Sequence, residues 1–464
     1  MASDRRKFIK QLGGSILLTS ASLQSLAAIE ERETRMERAR KRITANDQIR
    51  IATIGMGIMG FNDTRAALTV PGVELVACCD LYQGHLVRAK EVYGNQLFTT
   101  NNHHEILSRK DIDAVIIATS DNWHSAIAKD AMHTGKSVYS EKPMVHYIDE
   151  GLEEIKVQQQ TKAVFQVGSQ RISSLAFQKA KELYKSGEIG QINSVEASFN
   201  RQDALGAWQY TIPLDASDQT VDWQRFEALE SVKHPFDPKR FFRWRNYREY
   251  GTGVAGDLFV HLLTGIHFLT DSVGPDKIYS IGGLTYWKDG RNVPDVMSAV
   301  INYPERAEHP AFQVSLRVNF VSGDGDRTVT RIVGSEGSIE IFGEGEGFNI
   351  VRNKMPKAPG YGGWDSFNTY PEAMQKAIVA DYDKKWSQAD RERPKLDPIT
   401  YRAPDGYNAS NDHFANFFES VRHGKPVVED AVFGFRAAAP ALACNESYFQ
   451  NKVIHWDANN MRVV

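Results

Sequence analysis

The amino-acid sequence predicts an α/β protein, with a doubly wound parallel sheet first and an α+β domain with a large open, mainly antiparallel sheet after it. Three observations predict this. Short apolar runs at 49–54, 73–79, 112–119 and 137–140 alternate with stretches of helical character, the rhythm of βαβ units whose strands are buried on both faces. A glycine-rich turn, Gly55-Met56-Gly57-Ile58-Met59-Gly60, follows the first run directly. From about Gly190 onward, strand-like stretches recur at 192–200, 277–286, 298–303, 312–320, 328–334 and 338–342 without regular intervening helices. Separate strands joined by loops argue for an antiparallel or mixed sheet.

At 464 residues the chain exceeds the roughly 100–200 residues of one ordinary domain, so two domains are expected. A net charge of -3, from 55 basic and 58 acidic residues, leaves no electrostatic footprint for nucleic acid and points to a small-molecule partner. Of the three cysteines, Cys78 and Cys79 are sequence neighbours in an apolar run, and Cys444 stands alone. No disulfide framework follows from them. No metal site is expected either, since His103, His104, His133, His234 and His267 show no metal-ligand spacing.

Residues 1–28 read as an export signal. Arg5-Arg6-Lys7-Phe8 precedes a mildly apolar stretch ending in small residues, and this resembles a twin-arginine leader. The stretch is too short and too polar for the about 20 apolar residues of a membrane helix, so no membrane span is expected in the mature protein. A periplasmic or otherwise exported location follows. That route carries folded proteins, so a nucleotide cofactor would be taken up in the cytoplasm and then retained and regenerated. Residues 29–47 form a charged linker or arm.

Residues 48–170 carry the pattern of a dinucleotide-binding Rossmann domain. Gly55 permits a tight turn, Gly57 lets the backbone approach a pyrophosphate, and Gly60 lets helix and strand pack closely. Ile58 and Met59 open the helix whose amides face the phosphates. Asp80 ends the second strand twenty residues after Gly60, where a carboxylate accepts from a ribose 2'-hydroxyl and repels a 2'-phosphate. NAD is therefore expected rather than NADP. Thr119, Asn122, His124, Glu141 and Lys142 follow the carboxyl ends of later strands, placed to touch nicotinamide or substrate.

The chain resembles the glucose-fructose oxidoreductase and inositol dehydrogenase (Gfo/Idh/MocA) family. Besides the glycine turn, the resemblance rests on Thr119 with Asp121-Asn122-Trp123-His124, on Gly135-Lys136 leading to Glu141-Lys142-Pro143, and on Gln166-Val167-Gly168-Ser169-Gln170-Arg171. Gly251-Thr252-Gly253-Val254-Ala255-Gly256-Asp257 with His261 completes it. It implies that residues 171–464 form a domain for substrate binding and oligomerisation, in a homodimer or homotetramer, with the terminal segment free to return to the Rossmann domain. It also implies that Gln170 belongs to the cofactor site and that Lys142, Asp257 and His261 are catalytic. If 254–269 is a helix, Asp257 and His261 lie one turn apart on one face, as a proton-transfer pair requires. Lys142, Arg171, Arg243, Tyr247 and His261 are the candidate contacts to a carbohydrate, for which aromatic faces and guanidinium forks are suited. One departure is that 262–265 lacks the second acidic residue often present in the family.

These readings converge on an exported NAD-dependent oxidoreductase that oxidises a hydroxyl of a sugar or glycoside, with C3 as a candidate carbon. The alternative is an NAD-dependent glycoside hydrolase that works by transient C3 oxidation, elimination, water addition and re-reduction. A non-catalytic binding protein is disfavoured by the intact Lys142, Asp257 and His261. Residues 353–406, rich in Pro, Gly, Lys and Asp, read as an excursion of loops with one helix at most, and 412–422 and 434–448 have helical spacing before a short strand at 453–456.

Overall fold

The computed structural model of the protein describes residues 48–464, so the expected export signal and charged arm lie outside the described residues. Six strands, β1 (Ile49–Ile54), β2 (Val73–Cys79), β3 (Phe98–Thr100), β4 (Ala114–Ile117), β5 (Ser137–Glu141) and β6 (Phe165–Gly168), form the first sheet. All pairs are parallel, in the order β3-β2-β1-β4-β5-β6. The winding direction reverses between β1 and β4, and a ligand crevice opens beyond the strand ends at such a switch point. Ile51, Ala52, Val115 and Ile116 are fully buried because helices cover both faces.

The second sheet contains β7 (Ile192–Asn200), β8 (Lys277–Gly283), β9 (Val296–Tyr303), β10 (Phe312–Asn319), β11 (Arg327–Gly334), β12 (Gly337–Phe342), β13 (Gly347–Arg352), β14 (Ile399–Arg402), β15 (Ile454–Asp457) and β16 (Arg462–Val463). Their order is β14-β13-β12-β11-β7-β10-β9-β8-β15-β16, and the pairing of β10 with β7 is parallel. The central strands β9 and β10 alternate in the way that a sheet with one covered face requires. Val314, Leu316 and Val318 of β10 point into the core while Gln313, Ser315 and Arg317 face outward.

Five strands have no counterpart in the sequence analysis: β3, β6, β14 and β16 are only two to four residues long, and β13 turns only Phe348 and Ile350 inward as large apolar residues. The expected single helix over 254–269 is two segments, a π-helix at Ala255–Phe259 and an α-helix at Val260–Thr270. The excursion between β13 and β14 contains two α-helices where the sequence predicts one at most, Glu372–Lys385 and the single turn Gln388–Arg391, and neither buries any of its residues.

The end of the chain returns to the first sheet. The helix Ala409–His423 lays Phe414, Phe417 and Phe418 against Ile49, Ile51, Ala114 and Ile116. Its His413 meets the Val167 carbonyl at 2.8 Å and the Ser173 hydroxyl at 2.8 Å. The helix Ala431–Gln450 then crosses between the two sheets, burying Phe435, Ala438, Leu442 and Cys444 in the shared core.

Candidate active site

The glycine turn is shaped by what a side chain would meet there. Gly55 has φ +91°, and a Cβ on it would lie 2.5 Å from the Ala118 carbonyl oxygen. A Cβ on Gly60 would come within 1.9 Å of the Gly55 oxygen, so helix and strand touch there. Gly57 is the opposite case, since a Cβ would meet nothing within 4 Å. Its backbone borders open space. The helix Ile58–Leu68 that follows has no side-chain cap at Gly57 and no acidic residue in its first turn. Its leading N–H groups and dipole are thus left for an anion.

Asp80 is fixed against this turn. One carboxylate oxygen accepts from the Tyr82 N–H at 2.8 Å, and the other accepts from the Met56 N–H at 2.6 Å and lies 3.1 Å from His85 Nδ1. Burial disfavours the charged His85 ring, but the Asp80 carboxylate outweighs it and raises the pKa. Gly55, Gly57, Ile58, Asp80 and Thr119 line one cleft together with Ala118, Ser120 and Trp123. An open backbone cradle, an uncapped helix start and a carboxylate at the ribose position fit a dinucleotide with free ribose hydroxyls.

A strap from the second domain crosses the adenosine end of this cleft. The Asp222 N–H donates to the Leu81 carbonyl at 2.8 Å, and the Gln83 N–H donates to the Thr220 carbonyl at 2.9 Å. The Tyr82 hydroxyl donates to Asp215 at 2.6 Å, and Arg225 donates to the Asn102 side chain at 2.9 Å. Farther along the cleft Tyr210, Phe226, Phe241, Trp244 and Arg245 form the roof.

Arg245 leads to the expected catalytic residues. It lies 3.4 Å from an Asp257 carboxylate oxygen, and Lys142 Nζ donates to that oxygen at 2.8 Å and to the Asp257 backbone carbonyl at 3.1 Å. Burial opposes charge on Asp257, but the Lys142 and Arg245 cations overcome it and hold the carboxyl far below the usual range. The π-helix places Asp257 and His261 differently from an α-helical turn: the Asp257 carboxylate goes to Lys142 and Arg245, and the His261 Nδ1 is buried with no hydrogen-bond partner. Burial, then Lys142 and Arg171, hold the His261 pKa well below 6.5, so the imidazole is neutral.

Other expected site residues sit behind this surface and hold it in place. Asn122 donates to Glu230 at 2.7 Å, and His124 bridges the carbonyls of Pro143 and Thr119 at 2.8 and 3.3 Å. Glu141 accepts from Gln170 at 2.8 Å, and burial lifts its carboxyl to about 7. Asp121 accepts from the N–H and hydroxyl of Thr252, fastening the start of the π-helix segment to the first domain. Met59 and Gly60 lie in the helix rather than on the cleft wall. Arg171 is buried beside Phe199, Arg243 donates to the Tyr210 carbonyl at 2.8 Å, and Tyr247 packs with Phe226 and Tyr250.

The sequence offers Arg243 and Tyr247 as candidate contacts, whereas Trp244 and Arg245 line the cleft. The turn Trp244–Asn246 decides which residues face inward, and no periodicity announces such a turn. His85, Tyr210 and Arg225 also line the cleft without having been singled out. The fold also gathers His103, His104 and Asp130, whose potential ligand atoms lie within 4.8 Å of one another, where sequence spacing showed no grouping.

Two family models match the chain. One, described as oxidoreductase family, NAD-binding Rossmann fold, covers residues 49–169, and its companion C-terminal domain covers 225–340. Inositol 2-dehydrogenase of Salmonella typhimurium is 32% identical over 145 residues, 31% of this chain and 43% of that protein. Glycosyl hydrolase family 109 protein 1 of Shewanella sp. (strain MR-4) is 37% identical over 110 residues, 22% of this chain and 24% of that protein. The chain thus matches less than half the length of either relative. Among solved structures, levoglucosan dehydrogenase in complex with NADH and levoglucosan superposes with a TM-score of 0.61 at 17% identity, covering 88% of this chain and 99% of that one. The WlbA dehydrogenase of Bordetella pertussis, in complex with NADH and UDP-GlcNAcA, gives 0.61 at 15% identity with the same coverage. These likenesses extend the shared fold across both domains. The chain belongs to the Gfo/Idh/MocA family of oxidoreductases, built on an NAD-binding Rossmann fold.

Proposed function

We propose that the protein oxidises a hydroxyl of a sugar or glycoside, with C3 the candidate carbon, using an NAD that it retains between turnovers. The observation that carries this reading is the buried Nδ1 of His261, which has no hydrogen-bond partner, near the Lys142–Asp257 ion pair that Arg245 connects to the cleft. NAD, when bound, supplies the hydride acceptor. His261 takes the hydroxyl proton. A lowered pKa makes a weaker base, but the cations that lower it also acidify a hydroxyl lying among them, so donor and acceptor shift together. Lys142 has three N–H donors, of which Asp257 accepts two, leaving one for the substrate oxygen. Retention is supported by the strap over the adenosine end, which must open before nucleotide leaves.

The similarity to a glycosyl hydrolase family 109 protein supports a second reading, in which the same base and lysine serve transient C3 oxidation and the glycosidic bond is cleaved without net redox change. Both readings are tested by releasing nucleotide from the purified protein before and after incubation with a panel of glycosides. Retained NAD converted to NADH alongside a keto-sugar supports oxidation. Free sugar with NAD unchanged supports hydrolysis, and a protein that carries no nucleotide overturns retention. Export by the twin-arginine route and assembly into a homodimer or homotetramer are part of the same proposal. The exposed apolar residues Tyr279, Ile281 and Val300 on the open face of the second sheet support assembly.

A further inference from the structure

Two guanidinium groups stand near His261, one with a single distant, solvent-exposed carboxylate and the other with none in ion-pair range among the described residues. Arg171 is 2% exposed, and none of its three guanidinium nitrogens has a hydrogen-bond partner. The carboxylate nearest to it, Glu344, is 3.8 Å away on a side chain that is 59% exposed. Arg201 donates to the Gly206 carbonyl at 2.8 Å, and among the described residues no carboxylate lies within salt-bridge distance of it. Both guanidinium carbons lie over the Phe199 ring, at 5.3 and 5.0 Å from its centroid, and the His261 ring lies 6.1 Å from the same centroid. The two cations therefore share one wall with the proposed base.

The other charges in the neighbourhood are already paired. Lys142 and Arg245 share Asp257, and Asp121 is held by Thr252. Glu141 faces Lys142 but is taken up by Gln170. What is left over is positive. For the buried Arg171, a cation without hydrogen-bond acceptors is strongly unfavourable, and the guanidinium fork of each arginine matches the two oxygens of a carboxylate.

We propose that the substrate is an anionic sugar, a glycoside or polyol bearing a carboxylate, and that Arg171 and Arg201 receive that carboxylate across Phe199 while His261 faces a ring hydroxyl. This rests on the reading of the site as one that binds sugars. It assigns Arg171 and Arg201 to substrate selection rather than to proton transfer.

The test measures binding to the full NAD-loaded protein without relying on turnover. Calorimetric titrations with methyl glucuronide and methyl glucoside compare ligands that differ only at C6. The glucuronide is expected to bind at least tenfold more tightly, and Arg201→Gln to bring the two affinities within about twofold of each other, as expected when a charged hydrogen-bond partner is lost. Arg171→Gln should act in the same direction if it folds, and the Arg201 variant decides the matter if it does not. Equal affinities in the unaltered protein, or a preference that survives Arg201→Gln, overturn the proposal. NADH formation is read separately. Tight glucuronide binding with no oxidation or cleavage refutes the catalytic reading alone, whereas turnover of neutral glycosides with no preference in binding refutes this inference alone.

Discussion

Gly57 and Gly60 are the same residue type under opposite constraints, and substitution separates them. At Gly57 a side chain enters open space where a pyrophosphate would approach, so Gly57→Val is expected to keep its folding midpoint and lose at least tenfold of its retained nucleotide, measured on protein as purified. Gly60→Ala drives a methyl into the Gly55 oxygen and should cost about 1–3 kcal/mol by denaturant titration, the usual scale for overpacking. Lys142→Ala and His261→Ala should each lower turnover by at least about a hundredfold. Because burial, Lys142 and Arg171 hold His261 neutral, kcat should show no acid limb with a midpoint near 6.5. A limb at that pH would identify a different base. At this scale the sequence was most legible where backbone geometry restricts identity, as at the glycine turn. It was least legible where a side chain could turn either way, as in the choice between Arg243 and Arg245.

Among the elements, the strap and the helix Ile148–Thr161 each make a separate prediction. The strap is tied to the ribose end by Tyr82, Leu81 and Gln83, so the double variant Tyr82→Phe, Asp215→Ala should exchange labelled NAD faster than the unaltered protein. Unchanged exchange would mean that another element limits release. In the helix Ile148–Thr161, Glu154 is fully buried, and desolvation pushes its carboxyl from 4.5 up to about 8. The folded chain therefore keeps a proton that the unfolded chain gives up between those values. Stability falls as pH rises through that window. Glu154→Gln should remove this component, so its Tm relative to the unaltered protein is expected to rise from pH 5 to pH 8. The π-helix Ala255–Phe259 is the element that spacing could not foresee. Its i→i+5 bonding, one residue longer than the α-helical step, sends the Asp257 carboxylate to Lys142 rather than along the helix to His261.

Across the whole molecule, the second sheet has one face on the core and one face open. Ile281→Lys and Val300→Lys, at positions 58% and 56% exposed, should reduce the mass seen by light scattering if that face joins subunits. An unchanged mass would move the interface elsewhere, for example to the excursion whose helix Glu372–Lys385 buries nothing. Among the described residues no helix is long and apolar enough to cross a membrane. The two domains are joined less by a linker than by Phe414, Phe417 and Phe418, which the end of the chain carries back to the first sheet.

By itself the sequence determined the order of the parallel strands' building blocks, the glycine turn with Asp80, most strands of the second sheet and the family to which the chain belongs. These are local facts. Each follows from hydrophobic period or from a backbone conformation that few residues tolerate. Only the tertiary structure decided which of many arginines and aromatics meet in one place. It brought Arg171 to the Phe199 ring over which Arg201 also lies, joined Arg245 to Asp257, and drew the 215–225 strap over the cofactor cleft. Arg171 comes from another element to meet Phe199, and Tyr82 meets Asp215, 133 positions away; no local pattern encodes such contacts, because they are fixed by how the two sheets pack around the shared helices.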